Sequence, residues 1–450
     1  MRRQATVWIV VLACALRLPG LWTDFWLDEI WALDNVDRVT SAVGIFTDIH
    51  HDSNHWLISL WMYVLGQDAP FWLYRLPSFL AGVAAVVIAG RLADVEGVNR
   101  TLAMLLVAVS FPLGFYASEA RGYAIASTAA LASFLYLLHW LERGRLRWLM
   151  LTWASAAVGL LAHLSFVAVL GSTAVFVAAL FFARKLSMAR VLLPLSVPFA
   201  LLLGLAIVDL RHLQFGGGPP LDVVGLLLDL AALSIGAPLG HAWTAWLAVA
   251  GGAAVLASLA VRVIGRNRDV GSTSTIHLAW VFYASILVVP VATAVFIRPP
   301  FLFPRYFLVS LAFVPLLVAG ARARVAAPVF RAVIVAMLVL HAASWVSFWR
   351  DGRGHYAAAL TSLLAAVPQG AVTVGADHAF RTPVVVDFHA RRLGPDARRI
   401  VLVATDAQFT IVSSPSTPIT PALCGACVLV RDDPSSALSG APWRIYRRSP

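Results

Sequence analysis

About eleven apolar runs, each long enough to cross a bilayer as a helix, succeed one another through the first three quarters of this chain. They fall near 5–22, 75–91, 101–117, 122–140, 148–163, 165–183, 191–209, 242–261, 277–297, 304–320 and 326–347. A bilayer core needs about 20 apolar residues per helical crossing. Composition agrees: 60% of the 450 residues are hydrophobic, 13% are charged, and the mean hydropathy is +0.81. A water-soluble protein of that make-up would expose far more apolar surface than water tolerates. The stretch 221–239 is also apolar, but Asp222, Asp229 and Pro238 interrupt it, so it reads as a helix lying at the interface. Arg2 and Arg3 before Ala5–Leu16 give the start a signal-peptide look, and with so many spans behind it an uncleaved first span is expected.

The net charge of +11 does not point to nucleic acid. The basic residues sit in short clusters between apolar runs and form no continuous stripe. With the N-terminus in the cytoplasm, the inner turns collect Arg2, Arg3, Arg91, Arg100, Arg143, Arg145, Arg147, Arg184, Lys185, Arg190, Arg262, Arg266, Arg268, Arg322 and Arg324. The outer turns hold fewer. That asymmetry predicts an N-in, C-out, multi-pass protein of the plasma membrane. It also divides the chain into a transmembrane domain, 1–347, with a first outer loop at 23–74, and an extracytoplasmic tail, 348–450.

The tail changes character. A helix over 356–367, a strand at 371–374, a helix near 383–391 and strands at 400–403, 409–412, 428–430 and 443–446 predict a small α/β domain. The fold class expected is therefore an all-α polytopic membrane domain with a small C-terminal α/β domain. Of the three cysteines, Cys14 lies in the first apolar run; Cys424 and Cys427 lack the second pair of a zinc ribbon. They read as either a short disulfide or two thiols.

Four polar segments punctuate the outer side. Asp28 and Glu29 follow the first span among Trp22, Phe25, Trp26 and Trp31, where partial loss of water would raise a carboxylate's basicity and suit it to take a proton from a hydroxyl. The bland alternative is a solvated acidic turn beside an aromatic belt. Asp48–His55 holds His50, His51, Asp52 and His55; it could bind a divalent metal, hydrogen-bond a sugar or phosphate, or simply be a polar loop. Ser118–Tyr123 places Arg121 at headgroup depth, and Arg298–Phe307 does the same for Arg298 and Arg305. A guanidinium there suits phosphate oxygens, though singly each arginine reads as a snorkelling anchor. His163, His241 and His341 lie near span ends and read as packing or interfacial residues.

In this order the four segments resemble the membrane glycosyltransferases of the GT-C fold. The nearest likeness is to the RgtA/B/C/D-like and dolichyl-phosphate-mannose-type branch. Asp28-Glu29 stands where that family has Asp-Glu after its first span. Arg75-Leu76-Pro77-Ser78, Ser118-Glu119-Ala120-Arg121-Gly122-Tyr123 and Pro304-Arg305-Tyr306-Phe307 look like three further motifs. Asp52-Ser53-Asn54-His55-Trp56-Leu57 stands at the place of an Asp-x-x-x-Pro-Pro-Leu segment, without its prolines. The resemblance covers about residues 10–320. It implies sugar transfer, usually with inversion, from a polyprenyl-phosphate donor to a glycan, lipid or protein acceptor of the cell envelope. Asp28 would be the general base and Glu29 its helper. Arg121 and Arg305 would hold the donor phosphate, with His55, Asp52, Tyr123 and Tyr306 binding substrate. No metal and no cofactor is expected, because an arginine clamp can stand in for a cation. Beyond membrane lipids no other partner is implied. Two other classes stay open: a flippase for lipid-linked sugars, which would need ionisable groups deep in the bilayer, and a non-catalytic carbohydrate-binding assembly protein.

Overall fold

The computed structural model describes residues 2–183, 185–239, 244–265, 278–322, 325–413 and 426–449. Among the described residues seven helical stretches are long and apolar enough to span a membrane: Arg3–Trp22, Phe71–Val95, Tyr123–Arg143, Leu164–Phe182, Met188–Val208, Ala279–Ile297 and Ala327–Ala366. Pro304–Leu311 and Val314–Ala321 add an eighth if that pair, bent by 46°, is one span. The chain is a multi-pass membrane protein. Three further runs from the sequence are shorter helices or partly undescribed: Arg100–Val109, Leu146–Ala162 and the helix Thr244–Gly265. Val223–Ile235, the apolar stretch with internal acids, is a 13-residue helix, too short to cross.

The run at 101–117 is two helices, Arg100–Val109 and Phe111–Tyr116, broken at Ser110. Pro112 has no N–H to close the helical turn, so the carbonyls behind it lose their partners. Buried side chains replace them. Arg17 donates to the Ala108 carbonyl at 2.8 Å and to Val107 at 3.2 Å, while Trp345 Nε1 donates to Val109 at 2.9 Å. His341 Nδ1 accepts from the Phe111 N–H at 3.1 Å. A broken helix inside a bundle is stable only with such replacements. The centre of the bundle is aromatic, with Phe134 stacked on Phe282 at 3.9 Å.

The tail forms a five-stranded mixed sheet: β1 (Val372–Ala376), β2 (Ile400–Leu402), β3 (Phe409–Val412), β4 (Cys427–Asp433) and β5 (Trp443–Arg448), in the order β2-β1-β3-β5-β4. β1 pairs in parallel with β2 and β3, and β5 pairs antiparallel with β3 and β4. Central β3 is buried throughout, and β5 alternates with Trp443 and Ile445 inward, the period of a half-buried strand. Helices Tyr356–Ala366 and Arg381–Arg392 pack beside it. Cys427 is disulfide-bonded and Cys14 is free; Cys424 and His241 lie outside the described residues.

The tail does not stand apart. Phe25, Trp26 and Tyr74 share one hydrophobic core with Tyr356, Val374, Phe388 and Trp443. Phe25 stacks with Phe388 at 6.0 Å and Trp26 with Tyr356 at 5.8 Å. His389 Nε2 lies 3.0 Å from the Phe25 carbonyl oxygen. This core fixes the first loop against the sheet domain, and with it the acidic pair.

Candidate active site

Helix Leu27–Asp37 begins at Trp26, and Asp28 and Glu29 fall in its first turn. Acidic side chains are favoured there by the unpaired N–H groups and the helix dipole. Glu29 reaches back to the Trp26 N–H, half of a capping box. Its carboxylate is 1% exposed and takes a bidentate grip from Arg75, with Nε at 2.9 Å and Nη2 at 2.7 Å. It also accepts the Ala120 N–H at 2.8 Å. Although burial pushes this carboxyl up, Arg75, Arg353 and the Ala120 N–H outweigh it and hold Glu29 below the usual range. Arg75 in turn donates to the carbonyls of Gly20, Leu21, Thr23 and Asp24. Glu29 thus ties the loop to two other segments.

Asp28 points elsewhere. Arg121 Nη1 donates to its Oδ2 at 2.8 Å, and Arg305 Nη2 lies 3.4 Å from the same oxygen. Three segments far apart in sequence therefore meet at one carboxylate. The charge on Asp28 differs from the sequence expectation. Burial does push its pKa up, but Arg121, Arg305 and His51 outweigh that and keep the carboxyl below the usual range. Arg121 Nε and Arg305 Nε are buried without a hydrogen-bond partner. A buried N–H left unmatched is costly, so the two guanidiniums retain capacity for an anion.

Around them lies a cluster of rings. Arg121 covers Tyr123 at 4.8 Å, and Arg305 covers Phe303 at 4.1 Å and Tyr306 at 5.7 Å. His55 stacks on His163 at 4.7 Å, with Tyr123 4.2 Å from His163. Burial and the charge of Arg121 keep His55 well below the usual imidazole range, so it is neutral at pH 7. Its Nε2 is buried without a hydrogen-bond partner. Gly122 lets its turn pack closely on His55 and on the Ala162 backbone. A Cβ at that position would lie 1.7 Å from the Ala162 carbonyl oxygen and 3.2 Å from His55 Nδ1, so a side chain would push the turn that carries Arg121 off the Ala162–His163 turn.

The polar loop is organised by a segment that the sequence did not flag. Gln214 pairs with His51 as a parallel bridge, its N–H donating to the His50 carbonyl and its carbonyl accepting the Asp52 N–H. His50 Nδ1 lies 2.7 Å from Asp209 Oδ1, and Trp56 Nε1 donates to the other oxygen at 2.9 Å. Asp52 sits 3.1 Å from His51 Nδ1. Among the described residues no group of three or more His, Cys, Asp or Glu is placed to hold a metal ion.

Arg298, by contrast, takes no part in the cluster's ion pairs; it ends helix Ala279–Ile297 in a left-handed conformation, with φ +47°. Two contributors escaped the sequence reading. His163, read as a packing or interfacial residue, belongs to the ring cluster. Arg353, beyond the last long helix, is fully buried against the Ser118–Glu119 turn. No local motif marks it.

Two crystal structures share this architecture over nearly the whole chain. ArnT from Cupriavidus metallidurans in the apo state matches with a TM-score of 0.53 at 11% identity, covering 99% of this chain and 98% of that one. ArnT from the same organism bound to undecaprenyl phosphate matches at 0.52 and 12%, covering 99% of each. The fold is GT-C. No protein-family model and no curated protein sequence matches the chain. The GT-C likeness therefore rests on architecture, with the tail included in the match.

Proposed function

We propose that this protein is a membrane glycosyltransferase that moves a sugar from a polyprenyl-phosphate donor to a cell-envelope glycan, lipid or protein acceptor, with inversion. The observation that carries the reading is Asp28, shared between Arg121 and Arg305, in a fold also solved with undecaprenyl phosphate bound. The arginine asymmetry of the sequence supports a cytoplasmic N-terminus, with the site and the sheet domain of 348–450 on the opposite side.

The residues suit the reaction. Asp28 takes the proton of the acceptor hydroxyl as its oxygen forms a bond to the anomeric carbon. The bond from that carbon to the phosphate oxygen breaks, and the departing phosphate carries an added negative charge. Arg121 and Arg305 receive it, stabilising the transition state where charge develops. Arriving donor phosphate also competes for the arginines that depress Asp28. As those charges are matched by phosphate, the carboxylate recovers basicity. Glu29, fully engaged by Arg75, positions the loop.

The test is transfer from a radiolabelled lipid-linked donor by Asp28→Asn and Asp28→Ala in intact membranes. Both variants should insert normally and lose transfer. Near-normal transfer by either would overturn the role given to Asp28.

A further inference from the structure

A cavity of about 480 Å³ opens beside the arginine pair. It is bounded by the polar loop, by the turn at His163, and by the segments 209–215 and 302–306. His55 and Tyr306 line it and also border the arginine cluster, so it adjoins the place where phosphate would sit. Its size falls within the roughly 300–1,000 Å³ of small-molecule pockets.

Its chemistry differs sharply from that of the neighbouring cluster. Among the described residues lining it there is no Lys or Arg, while Asp52 and Asp209 both contribute. Asp209 is 1% exposed and already held by His50 and Trp56. Asp52 is 20% exposed at its side chain, with His51 Nδ1 3.1 Å from one of its oxygens; it is the more open of the two carboxylates and keeps acceptor capacity. An ionised carboxylate accepts and does not donate. It therefore matches hydroxyl groups and repels another carboxylate. The rest of the wall is largely apolar, with Leu210, Leu213, Phe215, Leu302 and Tyr306, and aromatic faces such as that of Tyr306 can pack on the carbon side of a sugar ring.

We infer that this cavity is the sugar subsite, and that it takes a hydroxyl-rich sugar without an acidic group, with Asp52 accepting sugar hydroxyls and excluding uronic acids. This deepens the proposed function and rests on it: the arginines serve the phosphate, and the cavity reads the sugar. The backbone ladder from Gln214 to His50 and Asp52 holds the carboxylate in place, so sugar recognition depends on the 209–215 segment as well as the first loop.

The experiment measures binding, not turnover, with the full chain in lipid nanodiscs at pH 8. The probes are bare undecaprenyl phosphate and the same lipid carrying glucose, mannose, galactose, arabinose, glucuronic acid or galacturonic acid. At least one neutral sugar should tighten binding about tenfold over the bare lipid, as a hydrogen bond to a charged group allows. Both uronic acids should bind no tighter than the bare lipid. In Asp52→Asn and Asp52→Ala the ratio of neutral-sugar-lipid to bare-lipid affinity, each measured in the same variant, should lose most of its increment. The inference is overturned if a uronic acid binds as tightly as the best neutral sugar. It is equally overturned if no neutral sugar adds affinity, or if both Asp52 variants keep the increment. Failure of the underlying function looks different: wild-type protein would then not bind bare undecaprenyl phosphate, or an Arg121→Gln/Arg305→Gln double variant would bind it unchanged.

Discussion

Arg353 lies with its Nε 3.6 Å from a carboxylate oxygen of Glu119, 234 positions earlier in the chain, and neither side chain is more than 1% exposed. The guanidinium also donates to Ser118 O at 3.1 Å, Gly20 O at 3.1 Å and Thr23 Oγ1 at 2.5 Å. Ser439 of the sheet domain hydrogen-bonds the same glutamate. The turn that carries Arg121 is thus clamped by residues that follow the last long helix.

Removing that clamp should cost stability. Arg353→Met leaves Glu119 buried without its cation and strips the Gly20, Phe115 and Ser118 carbonyls of a donor. Breaking a buried ion pair in this way costs about 3–5 kcal/mol. Thermal unfolding in detergent should show a large drop for Arg353→Met and a smaller one for Ser439→Ala. An Arg353→Met protein that melts like the wild type would mean that the tail is not part of the scaffold.

Asp28 and Glu29 are neighbours with opposite duties, and thermal melting can separate them. Glu29→Gln exposes Arg75, which is 0% accessible, to an uncompensated buried charge, again about 3–5 kcal/mol. Asp28→Asn also takes a carboxylate from Arg121 and Arg305, whose side chains are 4% and 15% exposed, but it undoes no network like the one in which Arg75 joins Glu29 to four backbone carbonyls. Its melting temperature should therefore fall less than that of Glu29→Gln. Equal losses in the two variants would contradict this division.

The neutral state of His55 has a pH signature. Its folded pKa is depressed by burial and Arg121, so below about pH 6.5 the unfolded chain takes up a proton that the folded chain refuses. Stability contributed by this group is complete above that pH and declines as pH falls, until the folded pKa is reached. The decline is at most about 1.4 kcal/mol per pH unit for one imidazole. His55→Leu should flatten the stability profile between pH 6.5 and 5 by up to that slope, whatever its absolute stability. An unchanged slope would show that His55 titrates normally.

Much of the tail was legible in the sequence, because alternation in 443–446 and apolar periodicity in 356–367 are local signals. Strands β1 to β5 fall within a residue or three of their expected limits. The grouping of Asp28 with Arg121 and Arg305 came from the resemblance of ordered motifs to a family, since each arginine by itself reads as a membrane anchor. Contacts with no local mark were not legible. Nothing near Arg353 announces that it reaches Glu119, and nothing near Gln214 that it pairs with the histidine loop. The sign of the Asp28 shift was misjudged for the same reason: aromatic neighbours are visible in the sequence, whereas two guanidiniums arriving from residues 121 and 305 are visible only in three dimensions. Pro112, too, reads as harmless inside an apolar run until the freed carbonyls are seen taken up by Arg17 and Trp345.

The most discriminating prediction concerns an affinity that should rise. In the free protein Asp28 occupies Arg121 at 2.8 Å and Arg305 at 3.4 Å, so an incoming phosphate must displace a carboxylate that already satisfies part of the charge. Asp28→Asn removes that competitor and leaves an amide, which attracts a guanidinium far less. A hydrogen-bonded ion pair in a partly buried site contributes on the order of 1.5–3 kcal/mol, so bare undecaprenyl phosphate should bind the Asn variant about tenfold more tightly or better. Transfer should be lost in the same protein. Titration of nanodisc-embedded wild type and Asp28→Asn with the lipid, at low and high salt, measures the difference. Tighter binding coupled to lost transfer fits a base that yields its arginines to the phosphate. Weaker binding by the Asn variant would mean that Asp28 helps to hold the lipid, and the exchange of partners would be wrong.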